Sequence, residues 1–238
     1  MLKIKSVFPV LGMALVLATG SCIKKDPLAR ISQVLLVPLS PDAGAVDFSI
    51  NDQLVATTVN YPSAAGTATY SLPYYTITPG NTSVKYNITG SPVTYAEITS
   101  SIEDDNAYST FLIDSISRIK AVIVKDNVTA PPEGKVKLRF FHFSPNAPAM
   151  DVTRGATGPA LFTNRAFNDQ GNAAFQEFIV VDPGLTTFVF KTTGTSTVLY
   201  TTASLNLLPD RVYTLAARGV VGGAGAKALG ALWYANRP

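Results

Sequence analysis

The sequence predicts an all-β protein built from two tandem antiparallel β-sandwich domains. Three observations lead there. Short runs rich in Val, Ile, Thr, Tyr and Phe recur between Gly, Pro, Asn, Asp and Ser. Helical periodicity is hard to find, and an eight-residue segment returns 104 positions later. Apolar residues make up 47% of the chain and charged ones 15%, against about 25% charged in an average globular domain, so substantial cores can form.

At the N-terminus, Lys3 and Lys5 precede an apolar stretch from Val7 to Ala18, followed by Thr19, Gly20, Ser21 and Cys22. That order is a secretory signal layout. The stretch is about half the roughly 20 residues a spanning helix needs, so residues 1–21 are expected to be a cleaved signal peptide rather than an anchor. Cys22 is the only cysteine, which leaves no internal disulfide. The segment ending at Cys22 resembles the lipobox of bacterial lipoproteins, in the looser Bacteroidetes-type form with Thr19 in place of an aliphatic residue. The resemblance implies lipidation of Cys22 by acyl chains such as palmitate, each buried CH₂ adding about 0.8 kcal/mol of membrane affinity. Ile23, rather than Asp, after the cysteine is similar to lipoproteins sent to the outer membrane. The expected location is therefore the cell envelope at the outer membrane, with residues 22–29 as a lipid-anchored linker. Loss of Lys3 and Lys5 lowers the formal charge from +3 to +1 and leaves no electrostatic footprint for nucleic acid.

The first domain is expected over residues 30–128, with strands at Ile31 to Val37, Val46 to Ile50, Leu54 to Val59, Tyr74 to Thr78, Ser83 to Ile88, Val93 to Ile98, Tyr108 to Ile113 and Ala121 to Lys125. In Val46-Asp47-Phe48-Ser49-Ile50 the alternation is strict and puts Val46, Phe48 and Ile50 on one buried face. Residues 129–134, within Thr-Ala-Pro-Pro-Glu-Gly, read as a short stiff linker. The second domain, residues 135–238, has strand candidates at Val136 to Phe143, Met150 to Val152, Thr186 to Lys191, Val198 to Ser204, Val212 to Ala217 and Lys227 to Tyr234. Short alternating strands at this density point to sandwiches, with an up-and-down barrel as the alternative.

Duplication links the two domains. Ser-Pro-Asp-Ala-Gly-Ala-Val-Asp at Ser40 to Asp47 returns as Ser-Pro-Asn-Ala-Pro-Ala-Met-Asp at Ser144 to Asp151, and Pro79-Gly80 returns as Pro183-Gly184. Tyr95 and Tyr108 match Tyr200 and Tyr213 one position further on, as a single inserted residue would produce. Physically the segment reads as strand, turn and strand. Pro41 and Pro145 fix φ, Asp42 and Asn146 suit a type I or Asx turn, and Asp47 and Asp151 can accept backbone N–H bonds. A single carboxylate per copy makes no metal site.

The run from Lys137 to Val152, Lys-Leu-Arg-Phe-Phe-His-Phe-Ser-Pro-Asn-Ala-Pro-Ala-Met-Asp-Val, resembles the opening signature of the DUF4397 family of exported β-sandwich domains. Val37 to Phe48 resembles it more weakly, with Pro38 at the His142 position and Gly44 at that of Pro148. The resemblance implies tandem domains over most of the chain and no particular reaction, so Ser40, Pro41, Asp42, Asp47, Ser144, Pro145, Asn146 and Asp151 are expected to be structural.

Chemical motifs are scarce. His142 is the only histidine, which precludes a His-pair zinc site, and no Gly-x-Ser-x-Gly elbow accompanies it. Gly223-Ala224-Gly225-Ala226-Lys227-Ala228 loosely fits a dinucleotide fingerprint but lies between two strands, where it reads as a hairpin loop. Glu103-Asp104-Asp105-Asn106 reads as a solvated turn in preference to a weak Ca²⁺ site. Asp114-Ser115-Ile116 resembles a short O-glycosylation motif of Bacteroidetes-type exported proteins. Tyr74, Tyr75, Tyr86 and Tyr95 cluster as a sugar platform would, but alternation turns half of them inward. No cofactor is expected. The expected role is a non-catalytic envelope module, held to the membrane through Cys22, with a protein or glycan partner at the surface. The alternative is a glycan hydrolase using carboxylates such as Asp47, Asp151, Asp104 and Asp105.

Overall fold

A computed structural model describes residues 31–62 and 73–236. The signal peptide, Cys22 and the 22–29 linker lie outside the described residues. No α-helix occurs among those described, only short 3₁₀ turns.

The first domain comprises β1 (Ser32–Pro38), β2 (Val46–Ile50), β3 (Gln53–Val59), β4 (Tyr74–Ile77), β5 (Gly80–Ile88), β6 (Thr94–Ile102), β7 (Ala107–Ile113) and β8 (Lys120–Asp126). They form two four-stranded sheets, in the orders β4-β1-β7-β8 and β3-β2-β5-β6. The second comprises β9 (Val136–His142), β10 (Met150–Arg154), β11 (Ala160–Arg165), β12 (Ile179–Val181), β13 (Gly184–Thr186), β14 (Phe188–Thr192), β15 (Val198–Thr201), β16 (Leu205–Leu207), β17 (Arg211–Arg218) and β18 (Gly230–Asn236). Its sheets run β12-β9-β17-β18 and β11-β10-β14-β15, with β13 and β16 as a small extra pair. The fold is an all-β tandem sandwich and not a barrel. One pair in each domain departs from antiparallel: β1 lies parallel to β7, and β9 parallel to β17.

Each sandwich encloses its own core. In the first, Val34 and Leu36 of β1 meet Val46 and Phe48 of β2, Tyr86 of β5, and Tyr108 and Leu112 of β7. In the second, Leu138, Phe140, Val152, Phe190, Leu215 and Trp233 pack together. Tyr213 adds its ring at 5.2 Å from that of Trp233.

A sandwich standing alone would leave the outer faces of its sheets in water. Here β1, β7, β9 and β17 are buried on both faces. The reason is a third core between the domains, where Leu35, Val37, Leu39, Phe111 and Val124 meet Phe141, Phe143, Ala216, Leu232 and Tyr234. Phe111 packs at the centre of this layer, its ring centroid 4.8 Å from Phe143 and 5.7 Å from Phe141. The molecule is thus a stack of four sheets, the two inner ones joined face to face. Strands buried on both sides read as continuous apolar runs, which Val34-Leu35-Leu36-Val37 and Phe140-Phe141 are.

Candidate functional site

The duplicated aspartates do the same work in each domain. Asp47 accepts from the backbone N–H of Thr58 at 2.7 Å and of Gly90 at 2.9 Å. Asp151 accepts from Asn164 at 2.8 Å, from Gly194 at 3.1 Å and from the Thr193 hydroxyl at 3.1 Å. The donors match as well. Thr58 and Asn164 carry φ of 55° and 49°, and Gly90 and Gly194 carry 70° and 71°. Each carboxylate therefore ties together the two strand connections beside it. These N–H donors, led by Gly90 for Asp47 and by Asn164 for Asp151, hold both carboxyls below the usual carboxylate range.

Of the type I or Asx turn expected here, the first copy closes the β-turn bond, Ala43 N–H donating to Ser40 O at 3.5 Å, while the side chains of Asp42 and Asn146 are tied elsewhere. Asn146 neither caps nor turns the chain ahead of it; its side chain donates to Val221 O at 3.0 Å and accepts from Val221 N at 2.8 Å. Asp42, its counterpart, reaches Lys227 Nζ of the second domain at 3.5 Å. Both turns thus grip the connection between β17 and β18, Asn146 from within the second domain and Asp42 across the boundary, where the packed inner sheets bring that connection alongside it. Ser40 and Ser144 are buried, and their hydroxyls find no hydrogen-bond partner. Pro41 is buried and Pro145 half-buried, each in its turn.

At the other end of the interface lies a polar network that sequence reasoning missed. Arg139 and Asp126 form an ion pair, both side chains wholly buried. Asp126 also accepts from Ser109 at 2.8 Å and from the Tyr74 hydroxyl at 2.9 Å. Arg139 Nε donates to Thr214 at 2.8 Å, Thr214 donates to Asn236 at 2.6 Å, and Asn236 donates to Tyr74 at 3.0 Å, which closes the ring of contacts. The guanidinium stands over Phe141 and Phe178, 4.7 and 4.6 Å from their centroids. Burial pushes the Tyr234 hydroxyl up to about 12 and, with Asp126 beside it, that of Tyr74 well above its usual range. The available signal was a charged residue on the outward parity of an apolar strand, as Arg139 is in Leu138-Arg139-Phe140.

Over this network opens a groove of about 480 Å³, lined from the first domain by Asp105 and Lys125, from the connecting segment by Asn127 and Thr129, and from the second domain by Gln176 and Glu177. A smaller cleft of about 290 Å³ shares Asp105 and continues to Ile31, where the described chain begins. The groove is lined mainly by residues with polar side chains, straddles both domains, and has Asp126 in its wall. Lys125 is joined to Glu103 at 2.7 Å.

The remaining sequence candidates are dispersed. His142 is buried; its Nδ1 accepts from Ser144 N at 3.2 Å and its Nε2 faces Pro148 O at 3.1 Å, so the neutral ring spans the signature turn. Burial pulls its pKa down. The Gly223 to Ala228 segment joins β17 to β18 as a loop. Asp104 and Asp105 lie in the turn between β6 and β7, far along the sandwich from the strand connections that Asp47 holds. Ser115 is half-buried beside Asp114, which accepts from its backbone N–H at 2.7 Å. The tyrosines form no platform: Tyr86 is wholly buried, Tyr74 belongs to the interface network, and Tyr75 and Tyr95 pack against the first core. Among the described residues no group of three His, Cys, Asp or Glu is placed to share a metal ion.

A family model described as a domain of unknown function, DUF4397, matches residues 32–153, from the start of β1 into β10. No curated protein matches the chain.

Proposed function

The chain belongs to the DUF4397 family, matched over residues 32–153 of its 238, and from that premise we propose that it is a non-catalytic, lipid-anchored module of the bacterial cell envelope that presents a rigid two-domain body to a protein or glycan partner. The second domain is read as a second copy of the same family, since it repeats the strand order and the aspartate staple of the first. The observation that carries the proposal is the shared interface, with its buried apolar layer and closed polar network. A hinged enzyme cleft needs domains that move, whereas this construction suits a fixed spacer or docking platform. The groove across the domain boundary is the binding surface, being the place where both domains offer polar groups to one ligand. The hydrolase alternative would draw on Asp47 and Asp151, whose carboxylates are already occupied by backbone donors in separate domains.

Two measurements test this. Intact mass and membrane fractionation of the full-length protein, compared with Cys22→Ala in a Gram-negative host, should show cleavage before Cys22 plus acyl chains, with membrane association lost in the variant. A soluble, unlipidated product overturns the anchoring. Binding of the chain to a glycan array and to surface-protein fractions should then weaken in Gln176→Ala and Glu177→Ala; unchanged binding moves the site away from the groove.

A further inference from the structure

The interface joins the same positions of both halves. By strand register, Leu35 beside Ser109 corresponds to Arg139 beside Thr214, and Asp126 opposite Ala107 corresponds to Asn236 opposite Val212. The buried layer contains both members of the pairs Val37 and Phe141, Leu39 and Phe143, Phe111 and Ala216, and Val124 and Tyr234. That is the pattern of an isologous contact, in which one patch meets its own copy.

Four differences on or beside this face make the first domain the more negative copy, while Lys120, which corresponds to Gly230 and stands over Phe167 of the second domain, runs the other way. The second domain carries Arg139 and Arg218 where the first has Leu35 and Ile113. The first carries Asp42 and Asp126 where the second has Asn146 and Asn236. Both arginines are wholly buried. Arg139 meets Asp126; Arg218 stands 5.3 Å over the ring of Tyr61 from the first domain and donates to its hydroxyl at 3.3 Å. Asp42 crosses the boundary to Lys227.

We infer that this sorting of charge selects the partner: the β1-β7-β8 face of the first domain accepts a second-domain face and rejects a copy of itself. Two first-domain faces together would bury two Asp126 carboxylates opposite Leu35, with no cation. Two second-domain faces would bury two Arg139 guanidinium groups opposite Asn236, with no carboxylate. A buried charge without its partner is the costly case, because its desolvation is not offset, and such mismatches are how an interface discriminates. The surface is thereby reserved for a second-domain face, and the short connection over residues 129–134 supplies the one on the same chain at high effective concentration.

The test starts from the intact chain with a protease site inserted after Ala130 and cut once the protein has folded. The cut pair is unfolded in urea, refolded by dilution and weighed by native mass spectrometry, which separates the three possible pairs by mass. Wild type should give the mixed pair in at least tenfold excess over either like pair. The variant Asp42→Asn, Asp126→Asn, Arg139→Leu and Arg218→Ile, which gives each half the uncharged residue of the other, should approach the statistical mixture. Like pairs abundant in wild type, or their absence in the refolded variant, overturn the inference. The uncut chain supplies an independent reading should the cut pair not refold. Asp126→Asn and Arg139→Leu should each lower the urea midpoint, and the double variant should recover at least half of the larger loss. Additive losses overturn the exchangeability on which the inference stands.

Discussion

Arg139 and Asp126, one from each domain, form an ion pair that is wholly buried at the layer joining the two sandwiches. Removing either partner leaves the other charge stranded in an apolar setting. Arg139→Ala or Asp126→Ala should therefore cost about 3–5 kcal/mol in urea unfolding, far above the ~0–1 kcal/mol of an exposed pair such as Lys135 with Asp182. A loss no greater than that of Lys135→Ala would show that the buried pair is well solvated.

The shared apolar layer should make the two domains unfold as one. Trp233 is the only tryptophan and sits in the second core, so its fluorescence reports on the second domain, while far-UV circular dichroism reports on both. The two transitions should coincide in wild type. Phe111→Ala, which removes the ring packed on Phe141 and Phe143, should cost about 3–5 kcal/mol. If fluorescence and dichroism already separate in wild type, the interface does not couple the domains.

Asp47 and Asp151 predict an acid limb. A carboxyl whose folded pKa lies below its unfolded value of about 3.9 contributes stability that is complete above that value and lost as pH falls through the folded one. Both groups are lowered, chiefly by backbone N–H donors. The urea midpoint should therefore decline below about pH 4, and Asp151→Asn should flatten the decline while lowering the plateau above it. An equally steep limb in the variant would assign it to other carboxyls.

His142 predicts a second, earlier limb. Its folded pKa is lowered, first by burial, so the charged ring is disfavoured in the native state. Stability should be complete above about pH 6.5 and fall as pH drops through the folded value. His142→Gln, which keeps a donor for Pro148 O and an acceptor for Ser144 N, should remove this slope. A slope unchanged in the variant would show that the ring titrates freely.

Gly194 offers a check on the staple itself. Its φ of 71° and its N–H bond to Asp151 belong together. Gly194→Ala should cost about 1–2 kcal/mol through the left-handed backbone, measured by thermal unfolding, whereas Gly171→Ala, free of positive φ and of crowding, should change little.

Much of the first sandwich was legible in the chain. The expected strand Val46 to Ile50 coincides with β2, and the other seven strands fall within a few residues of those observed, because their apolar residues alternate or, as in β1, run continuously between turn formers. In the second domain β11, β12, β13 and β16 went unseen. Ala160–Arg165 is half polar, and the others have three residues each, too few for a period to show. The signature aspartates were legible as backbone acceptors, but their donors, Thr58, Gly90, Asn164 and Gly194, lie 11 to 43 residues away. The interface was hidden for a different reason. Alternation shows which face of a strand is apolar, and Leu35 and Phe141 do lie on apolar outward faces, yet nothing local says that the cover is another domain of the same chain.

The place of β1 has a mechanical consequence. β1 is the first described strand, and it is held on both sides, in antiparallel register with β4 from Ser32 to Leu35 and in parallel register with β7 from Gln33 to Pro38. A pull on the chain ahead of Ile31 runs along β1 and loads both ladders in shear, all pairs sharing the tension, instead of peeling them one at a time. Tension entering there would be borne by the strongest axis of the body, and forced extension should begin elsewhere, at the short edge pairs such as β13 with β16.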